Sequence, residues 1–286
     1  MRETVLQGKK ILMLGAGAIA EAMIRGLTEG DALPAEHIVV TNRSNLDRLQ
    51  DLQVRYEVSI VKSVTDESGA EALASADVII LACKPHDVAQ ALEQIREKIS
   101  NPIVLSVAAG IPAEMIESIL GNNVQVVRAM PNTACAVLES ATAVSYGQYC
   151  TEDTKQVAEA ILSVLGTVSV VEEKLLDAVT GLSGSGPAYF YYMVEAMQQA
   201  AESLGLPADT ARTLILQTLF GAGKMLQETG LDPQELRRQV TSPNGTTMAG
   251  IRVFQEANFK ELVERVITRA AERSREMGEE QASMTR

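Results

Sequence analysis

The chain has 286 residues, of which 46% are apolar and 22% charged, and its formal net charge is −12 at pH 7. A folded chain of this length buries roughly three quarters of the surface that it exposes when unfolded, which argues against disorder throughout. A charge this negative repels nucleic acid and anionic membranes, and no Lys/Arg-rich run offsets it, so we expect neither as a partner.

The cysteine and histidine content argues against a disulfide framework and against a metal centre. Cys83, Cys135 and Cys150 are odd in number and widely spaced, and there are only two histidines, His37 and His86. No apolar run reaches the roughly 20 residues that span a bilayer, and the polar N-terminus has no signal-peptide core. We therefore expect a cytoplasmic protein that binds no metal.

The first 170 residues or so alternate short β-branched runs with amphipathic helical segments. This alternation predicts an α/β domain with a mostly parallel, doubly wound sheet covered by helices on both faces, as in Rossmann-like folds. The predicted strands are Lys10–Leu14, Ile38–Thr41, Val58–Val61, Val78–Ala82, Ile103–Val107, Val124–Val127, Ala141–Val144 and Thr167–Val170. The clearest helical segments are Ala18–Glu29, Val88–Ile99 and Asp153–Leu165.

Strand patterns stop after Val171, and the remaining chain is predicted to be all helical. We expect five helices, and we expect the polar stretch from Glu276 to fray. The helices begin at Ser185, at about Asp209, at Asp232-Pro233, near Thr246 and at Phe259. The predicted domains are residues 1–171, which bind the cofactor, and residues 172–286, which associate with a second subunit and bind the substrate.

The prediction of self-association depends on the apolar stripes of the helical half. Runs such as Tyr189–Tyr192 and Leu214–Leu216 place apolar residues on more than one helix face, which requires more than one packing partner. The alternative is that these faces close on the first domain.

The first predicted strand runs directly into the sequence Gly15-Ala16-Gly17-Ala18-Ile19-Ala20. This is the G-x-G-x-x-A pattern of a dinucleotide-binding turn between a buried strand and a helix. The first glycine permits the tight turn, the second lets a pyrophosphate approach the backbone, and the small last residue allows close packing. These six residues are predicted to bind the cofactor; the alternative is a ligand-free glycine-rich turn.

The end of the second strand indicates which dinucleotide is preferred. A site for NAD usually places an acidic residue here to bind the ribose 2′-hydroxyl, but this chain has Asn42, Arg43 and Ser44. A cation with small polar neighbours suits a 2′-phosphate. We therefore predict NADPH, with NADH possible; the alternative is a solvated turn with an incidental arginine.

Ligands of doubly wound sheets bind outside the carboxyl ends of the strands. Further candidates at these ends are Cys83, Lys84, Pro85, Ala108, Ala109, Pro131 and Asn132. Small residues would let a flat ring lie close, and Lys84 is a candidate for a ligand contact, although a lone lysine at a strand end is often only a surface residue.

Two segments of the helical half are rich in Ser, Thr and Gly, Thr180–Tyr189 and Val240–Gly250. Free backbone amides and small hydroxyls at a helix N-terminus can receive an anion such as a carboxylate. The alternative is N-capping, with Ser185 and Thr246 or Thr247 capping their own helices.

With these motifs the chain closely resembles the pyrroline-5-carboxylate reductases, the last enzymes of proline biosynthesis. The resemblance covers nearly the whole chain, and its most specific parts are Asp177–Ala188 and Thr241–Thr247. It also includes the glycine-rich turn and the segments Ala82–His86, Ser106–Gly110 and Arg128–Thr133.

The resemblance implies a Rossmann-like domain followed by a helical domain that interlocks two subunits, with the active site between the domains of the dimer and decamers in some members. It implies that the substrate carboxylate binds the loop of Ser242, Asn244, Gly245, Thr246 and Thr247, and that the Thr247 hydroxyl contacts the ring nitrogen. It further implies that Lys84-Pro85, Ala108-Ala109 and Pro131-Asn132 line the cofactor. Asn244 replaces a usual glycine, and asparagine tolerates left-handed backbone well.

The implied reaction is reduction of 1-pyrroline-5-carboxylate to L-proline by hydride transfer from NADPH or NADH, with Thr247 and Lys84 as candidate catalytic residues. One alternative is a β-hydroxyacid dehydrogenase-like enzyme with Lys224 as its acid/base, although no motif supports that lysine. Others are a regulatory paralogue that kept the fold and a reductase of related cyclic imines.

Overall fold

The computed structural model describes residues 5–121 and 123–284. It forms two compact units: the chain up to Ser185 together with the segment from Thr268, and the stretch Gly186–Ile267. None of the helices in the described part of the chain combines the length and apolar character needed to cross a membrane.

The first unit contains one eight-stranded sheet, and each predicted strand is present within a few residues of its expected bounds. The strands are β1 (Ile11–Leu14), β2 (Ile38–Thr41), β3 (Ser59–Val61), β4 (Val78–Leu81), β5 (Ile103–Ser106), β6 (Gln125–Met130), β7 (Ser140–Tyr146) and β8 (Gly166–Val170). Their order is β3-β2-β1-β4-β5-β6-β7-β8, and all neighbours are parallel except the antiparallel pair β6 and β7. The predicted doubly wound α/β fold is confirmed.

Helices connect these strands and cover the sheet. They are α1 (Ala18–Glu29), α2 (Leu46–Tyr56), α3 (Glu67–Ser75), α4 (Pro85–Ile95), α5 (Ala113–Leu120), α6 (Glu152–Leu162) and the short α7 (Leu176–Val179). Successive side chains of β1 enter two different apolar clusters: Ile11 and Met13 belong to one, Leu12 and Leu14 to the other. Because both faces of the strand are buried, its sequence is a continuous apolar run.

The order of the strands determines where a ligand can bind. From β1 the chain goes to β2 and β3 on one side, and then crosses to β4 on the other side of β1. At this switch point the connections leave the carboxyl ends of β1 and β4 in opposite directions and open a crevice between them. Residues 15–17 and 82–84 follow those two strands directly.

The predicted domain boundary at residues 171/172 does not coincide with the division into compact units, which falls after Ser185. The reason is a set of contacts from residues 173–185 to the rest of the first unit. Glu173 Oε1 accepts hydrogen bonds from the Ala113 amide (2.8 Å) and from Arg128 Nη1 (2.7 Å). Ser274, from the C-terminal segment, donates to Asp177 Oδ1 at 2.7 Å.

The second half of the chain contains the five predicted helices. They are α8 (Gly186–Ser203), α9 (Ala208–Thr229), α10 (Pro233–Gln239), α11 (Thr246–Glu256) and α12 (Phe259–Met284). Large apolar side chains of α8 and α9 are exposed in the single chain, among them Phe190, Tyr191, Tyr192, Leu214 and Phe220. Apolar exposure on this scale is typical of a surface that contacts another subunit.

The expectation that the chain frays from Glu276 is wrong as far as Met284, where α12 ends, and residues 285 and 286 lie outside the described part of the chain. Arg273 Nη1 lies 3.0 Å from Glu276 Oε2 and 2.9 Å from Glu280 Oε1, and ion pairs along one face stabilise a helix. The same segment belongs to the first unit and packs against its α/β part. A side chain at Gly278 would come within 2.6 Å of the Gly110 carbonyl oxygen, so the two backbones touch.

Candidate active site

A cavity of about 570 Å³ lies at the carboxyl ends of β1, β2, β3 and β4. It is lined by Leu14, Gly15, Ala16, Gly17, Thr41, Asn42, Arg43, Ser44, Asn45, Lys62, Ser63, Val64, Ala82, Cys83, Lys84, His86, Asp87, Gln90, Ala91 and Gln94. The position is the one at which doubly wound sheets bind nucleotides.

Gly15 lines the cavity at the point where the chain turns after the end of β1. Its φ is +122°, and a Cβ atom there would lie 2.6 Å from the Ala82 carbonyl carbon and 2.8 Å from the Cys83 nitrogen. The Gly15 amide donates to the Thr41 carbonyl at 2.9 Å. Only glycine fits here, because both the backbone angle and the close approach exclude a side chain.

Gly17 differs from Gly15 in what surrounds it. It is the N-cap of α1 in an extended conformation (φ −74°, ψ −176°), with no side-chain capping hydrogen bond. A Cβ atom at Gly17 would meet no described protein atom within 4 Å. The protein alone therefore does not require glycine here, whereas a phosphate approaching the first amides of α1 would.

Arg48 of α2 holds the turn in place, and sequence reasoning missed it. Its Nε donates to the Ala16 carbonyl at 3.1 Å, and its guanidinium also pairs with Glu21 of α1. Tyr56 OH donates to Glu21 Oε1 at 3.1 Å. Burial raises the pKa of Glu21, but the hydrogen bond and charge of Arg48, with smaller contributions from Tyr56 and Arg55, outweigh it and the net pKa is lowered.

The predicted triplet Asn42, Arg43 and Ser44 lines the cavity where β2 ends. The Ser44 amide donates to Asn42 Oδ1 at 3.2 Å, which orders the turn. The Arg43 guanidinium is held from α4: Nη2 lies 2.9 Å from Asp87 Oδ1, and Nη1 donates to Gln90 Oε1 at 2.5 Å.

Cys83, Lys84 and Pro85 connect β4 to α4. Cys83 lines the cavity, and burial raises the pKa of its thiol to about 11, which favours the neutral thiol near pH 7. Lys84 is the exposed N-cap of α4 and also lines the cavity, while Pro85 is the first residue of the helix. Lys62, after β3, adds a second lysine that sequence reasoning missed.

Other predicted cofactor residues lie outside the lining of this cavity. Ala18, Ile19 and Ala20 form the first turn of α1, and Ala20 is fully buried in the core. Ala108, Ala109, Pro131 and Asn132 follow β5 and β6. The side chain of Asn132 is engaged within the fold, since Oδ1 accepts from the Ala134 amide and Nδ2 donates to the Ser183 carbonyl, both at 3.1 Å.

The prediction that the first Ser/Thr/Gly-rich segment, Thr180–Tyr189, offers free amides at a helix start is wrong, because Thr180–Gly184 form a turn of π-helix directly after α7. The Ser185 amide donates to the Thr180 carbonyl at 2.8 Å, and Ser185 itself has helical backbone angles, so it is not an N-cap. The hydroxyls of Thr180 and Ser183 donate to carbonyls one turn earlier, Leu176 at 2.9 Å and Val179 at 3.3 Å.

In the second segment, Val240–Gly250, residues 242–245 do form a loop at a helix start, and Thr246 and Thr247 begin α11. The N-cap of α11 is Gly245, without a side-chain capping hydrogen bond, so the alternative that Thr246 or Thr247 caps this helix is wrong. Asn244 has φ +61°, in the left-handed region that asparagine tolerates. A Cβ atom at Gly245 would overlap Ser242 Oγ, so a side chain there would displace the Ser242 hydroxyl.

Lys224, the lysine that a dehydrogenase-type alternative requires, lies on α9. Its side chain is 55% exposed, and its Nζ lies 3.4 Å from Glu228 Oε1, one turn further along the same helix. This surface ion pair gives no support to an acid/base role.

The comparisons with known proteins agree with the motifs. A family model described as pyrroline-5-carboxylate reductase dimerisation matches residues 173–277, and one described as NADP oxidoreductase, coenzyme F420-dependent, matches residues 10–110. The chain is 42% identical to pyrroline-5-carboxylate reductase 1 of Bacillus subtilis over 277 residues, which is 96% of this chain and 92% of that relative.

Two solved structures are similar over nearly the whole chain. A pyrroline-5-carboxylate reductase from Coxiella burnetii has a TM-score of 0.87 and 36% identity, covering 94% of this chain and 98% of its own. The Plasmodium falciparum pyrroline carboxylate reductase, solved with NADP bound, has a TM-score of 0.83 and 25% identity, covering 95% and 99%.

The two glycines of the turn give a direct test of where the cofactor binds. We expect Gly17→Ala to change the free energy of unfolding by less than about 1 kcal/mol, the scale of an altered N-cap. We expect it to raise the NADPH dissociation constant about tenfold or more, because the new methyl group fills space that the pyrophosphate needs. Cofactor fluorescence titration and denaturant unfolding measure the two quantities.

Gly15→Ala is the contrasting variant, since its Cβ would collide with Ala82 whether or not cofactor is bound. It should lower stability and NADPH affinity together. Unchanged NADPH affinity in Gly17→Ala would contradict a cofactor at this turn.

Proposed function

The chain belongs to the pyrroline-5-carboxylate reductase family, and we propose from this premise which of its residues bind the two reactants. It is an oxidoreductase of proline biosynthesis that reduces 1-pyrroline-5-carboxylate to L-proline with NAD(P)H.

The observation that carries the cofactor assignment is the open space above Gly17 at the switch point of the sheet. We assign the pyrophosphate to the turn of Gly15, Ala16 and Gly17, whose backbone leads into the uncapped N-terminus of α1. Ala18, Ile19 and Ala20 support this turn by packing as the first turn of the helix. The donor set fits a dinucleotide, because amides at a helix N-terminus favour an anion and glycine leaves room for it.

We assign the adenosine 2′-phosphate of NADPH to Asn42, Arg43 and Ser44, which lie together on the cavity wall. Arg43 supplies a fork of N–H donors, and such a fork suits a phosphate. Cys83 and Lys84 also line the cavity, and the ammonium group of Lys84 is proposed to contact the bound cofactor. Pro85, which begins α4 directly after them, remains a proposed cofactor neighbour. Ala108, Ala109, Pro131 and Asn132 remain proposed cofactor neighbours from the carboxyl ends of β5 and β6.

We assign the substrate carboxylate to Ser242–Thr247. The uncapped start of α11 supports this, because its backbone amides have no side-chain cap to satisfy them. The left-handed Asn244 and the close approach of Gly245 to Ser242 shape the loop. Exposed hydroxyls of Ser242, Thr246 and Thr247 add further donors for a small anion.

When bound, NAD(P)H supplies the hydride that adds to the C=N carbon of the substrate. The chain's own contribution is orientation. An imine that arrives protonated is already electrophilic, so the nitrogen needs no strong acid from the protein. We propose that the Thr247 hydroxyl orients that nitrogen by accepting its N–H, and that the loop amides fix the carboxylate.

The helical region mediates self-association, in agreement with the family model matched there. We propose that the smallest assembly is a dimer and that dimers assemble into decamers, as in some members of the family. Light scattering that returned the mass of one chain would contradict the dimer.

We also propose a cytoplasmic enzyme, which the three free cysteines support. Recovery of the activity from another cell fraction would contradict that location.

Thr247→Ala tests the substrate assignment. We expect turnover to fall by about 10²–10⁴-fold, the scale of a lost positioning or proton-transfer group, while the NADPH dissociation constant stays unchanged. Steady-state kinetics and cofactor titration separate the two effects.

Thr241→Ala is a matched control in the same loop, because the Thr241 hydroxyl is already engaged with the Arg237 carbonyl at 2.6 Å. It should keep near wild-type turnover. Wild-type turnover in Thr247→Ala would remove Thr247 from the mechanism.

A further inference from the structure

Among the described residues that line the cavity, Asp87 is the only one with a carboxylate. It lies in the first turn of α4, and its Oδ1 is 2.9 Å from Arg43 Nη2. Its other oxygen, Oδ2, lies 3.5 Å from His86 Nε2. No step proposed above uses Asp87.

We propose that Asp87 sets the preference between NADPH and NADH by opposing the 2′-phosphate and by accepting a hydrogen bond from a 2′-hydroxyl. This inference rests on the proposed role of Arg43 as the 2′-phosphate ligand. The Arg43–Asp87 pair would then bind both cofactors: the guanidinium binds the 2′-phosphate of NADPH, and the carboxylate binds the 2′-hydroxyl of NADH.

The electrostatic part follows from the charges. A phosphate monoester carries about −1.5 to −2 charges near pH 7, so a phosphate that reaches Arg43 also comes close to the like charge of Asp87. At short separations, an opposite charge on the protein strengthens the binding of the phosphate and a like charge weakens it. The carboxylate therefore reduces the advantage that Arg43 gives to NADPH.

The hydrogen-bonding part follows from the placement of the carboxylate. Sites for NAD usually take an acidic residue from the end of the second strand to bind the ribose 2′-hydroxyl. Here that strand end has Asn42, Arg43 and Ser44, while the carboxylate reaches the same wall of the cavity from α4. The end of β2 has no acidic residue, and Asp87 of α4, which is 44 positions after Arg43, supplies one instead.

Solvent moderates the effect. The Arg43 side chain is 64% exposed and that of Asp87 is 26% exposed, so water screens part of the interaction. Lys62 and Lys84 on the same cavity wall keep its charge positive even with Asp87 ionised. We therefore expect a change in cofactor preference of about fivefold to tenfold when the charge of Asp87 is removed.

The test is Asp87→Asn, which removes the charge and keeps an oxygen that can accept from Arg43. Dissociation constants for NADPH and NADH are measured by the fluorescence of the reduced cofactor, without substrate. Because the chain has no tryptophan, cofactor emission is read without indole emission. We expect NADPH to bind more tightly and NADH more weakly, so that their ratio shifts about fivefold to tenfold toward NADPH.

Gln90→Glu is the reverse variant and keeps the proposal testable if Asp87→Asn does not fold. Gln90 Oε1 accepts from Arg43 Nη1 at 2.5 Å, so glutamate there places a second carboxylate beside the guanidinium. NADPH should then bind more weakly, and the ratio should shift toward NADH.

Glu93→Gln is the matched control, since Glu93 lies on the same helix, outside the lining of the cavity, and pairs with Arg96 at 3.3 Å. It should leave the ratio of dissociation constants unchanged. A shift equal to that of Asp87→Asn would assign the effect to overall charge and overturn the proposal.

Arg43→Gln separates the two levels of inference. If it leaves NADPH affinity unchanged, the proposed 2′-phosphate site is wrong, and the inference about Asp87 fails with it. If Arg43→Gln weakens NADPH but neither Asp87→Asn nor Gln90→Glu shifts the ratio, the phosphate site stands and Asp87 has no part in cofactor preference.

Discussion

The first unit depends on the close approach of two backbones where β1 and β4 end. The two strands pair in register, with Leu14 opposite Leu81, so the chain leaving β1 must turn directly over the carbonyl of Ala82. A side chain at Gly15 would collide with that carbonyl. The floor of the cavity is therefore bare backbone, and the following helix begins where its amides can meet a bound anion.

The charge of this cavity is opposite to that of the whole chain. The protein carries a formal charge of −12, yet Arg43, Lys62 and Lys84 line the cavity together with Asp87. A local excess of cations is what the proposed binding of a strongly anionic cofactor requires in an acidic protein, which otherwise repels anionic polymers and surfaces. Arg48 adds rigidity behind the turn, since one guanidinium joins the Ala16 carbonyl to the Glu21 carboxylate.

Much of the fold was predictable because its signals are local. β1 and β4 are continuous apolar runs, since both faces of these strands are buried, and Gly15 and Gly17 identify the turn between strand and helix. The contacts of Arg48 and Asp87 were not predictable, because their partners lie far away in sequence: Glu21 is 27 positions from Arg48. Polar composition gave a wrong prediction of fraying at Glu276, because ion pairs stabilise the helix there. It also gave a wrong prediction at Thr180, because the hydroxyl donates to a carbonyl one turn earlier in the helix.

We propose that this chain reduces a cyclic imine with a dinucleotide held at the turn of Gly15 and Gly17. The most direct measurement follows cofactor absorbance and L-proline together, with purified protein, 1-pyrroline-5-carboxylate and NADPH. We predict substrate-dependent oxidation, with one proline formed for each NADPH consumed. Protein that binds NADPH but neither oxidises it nor forms proline with this substrate would contradict it.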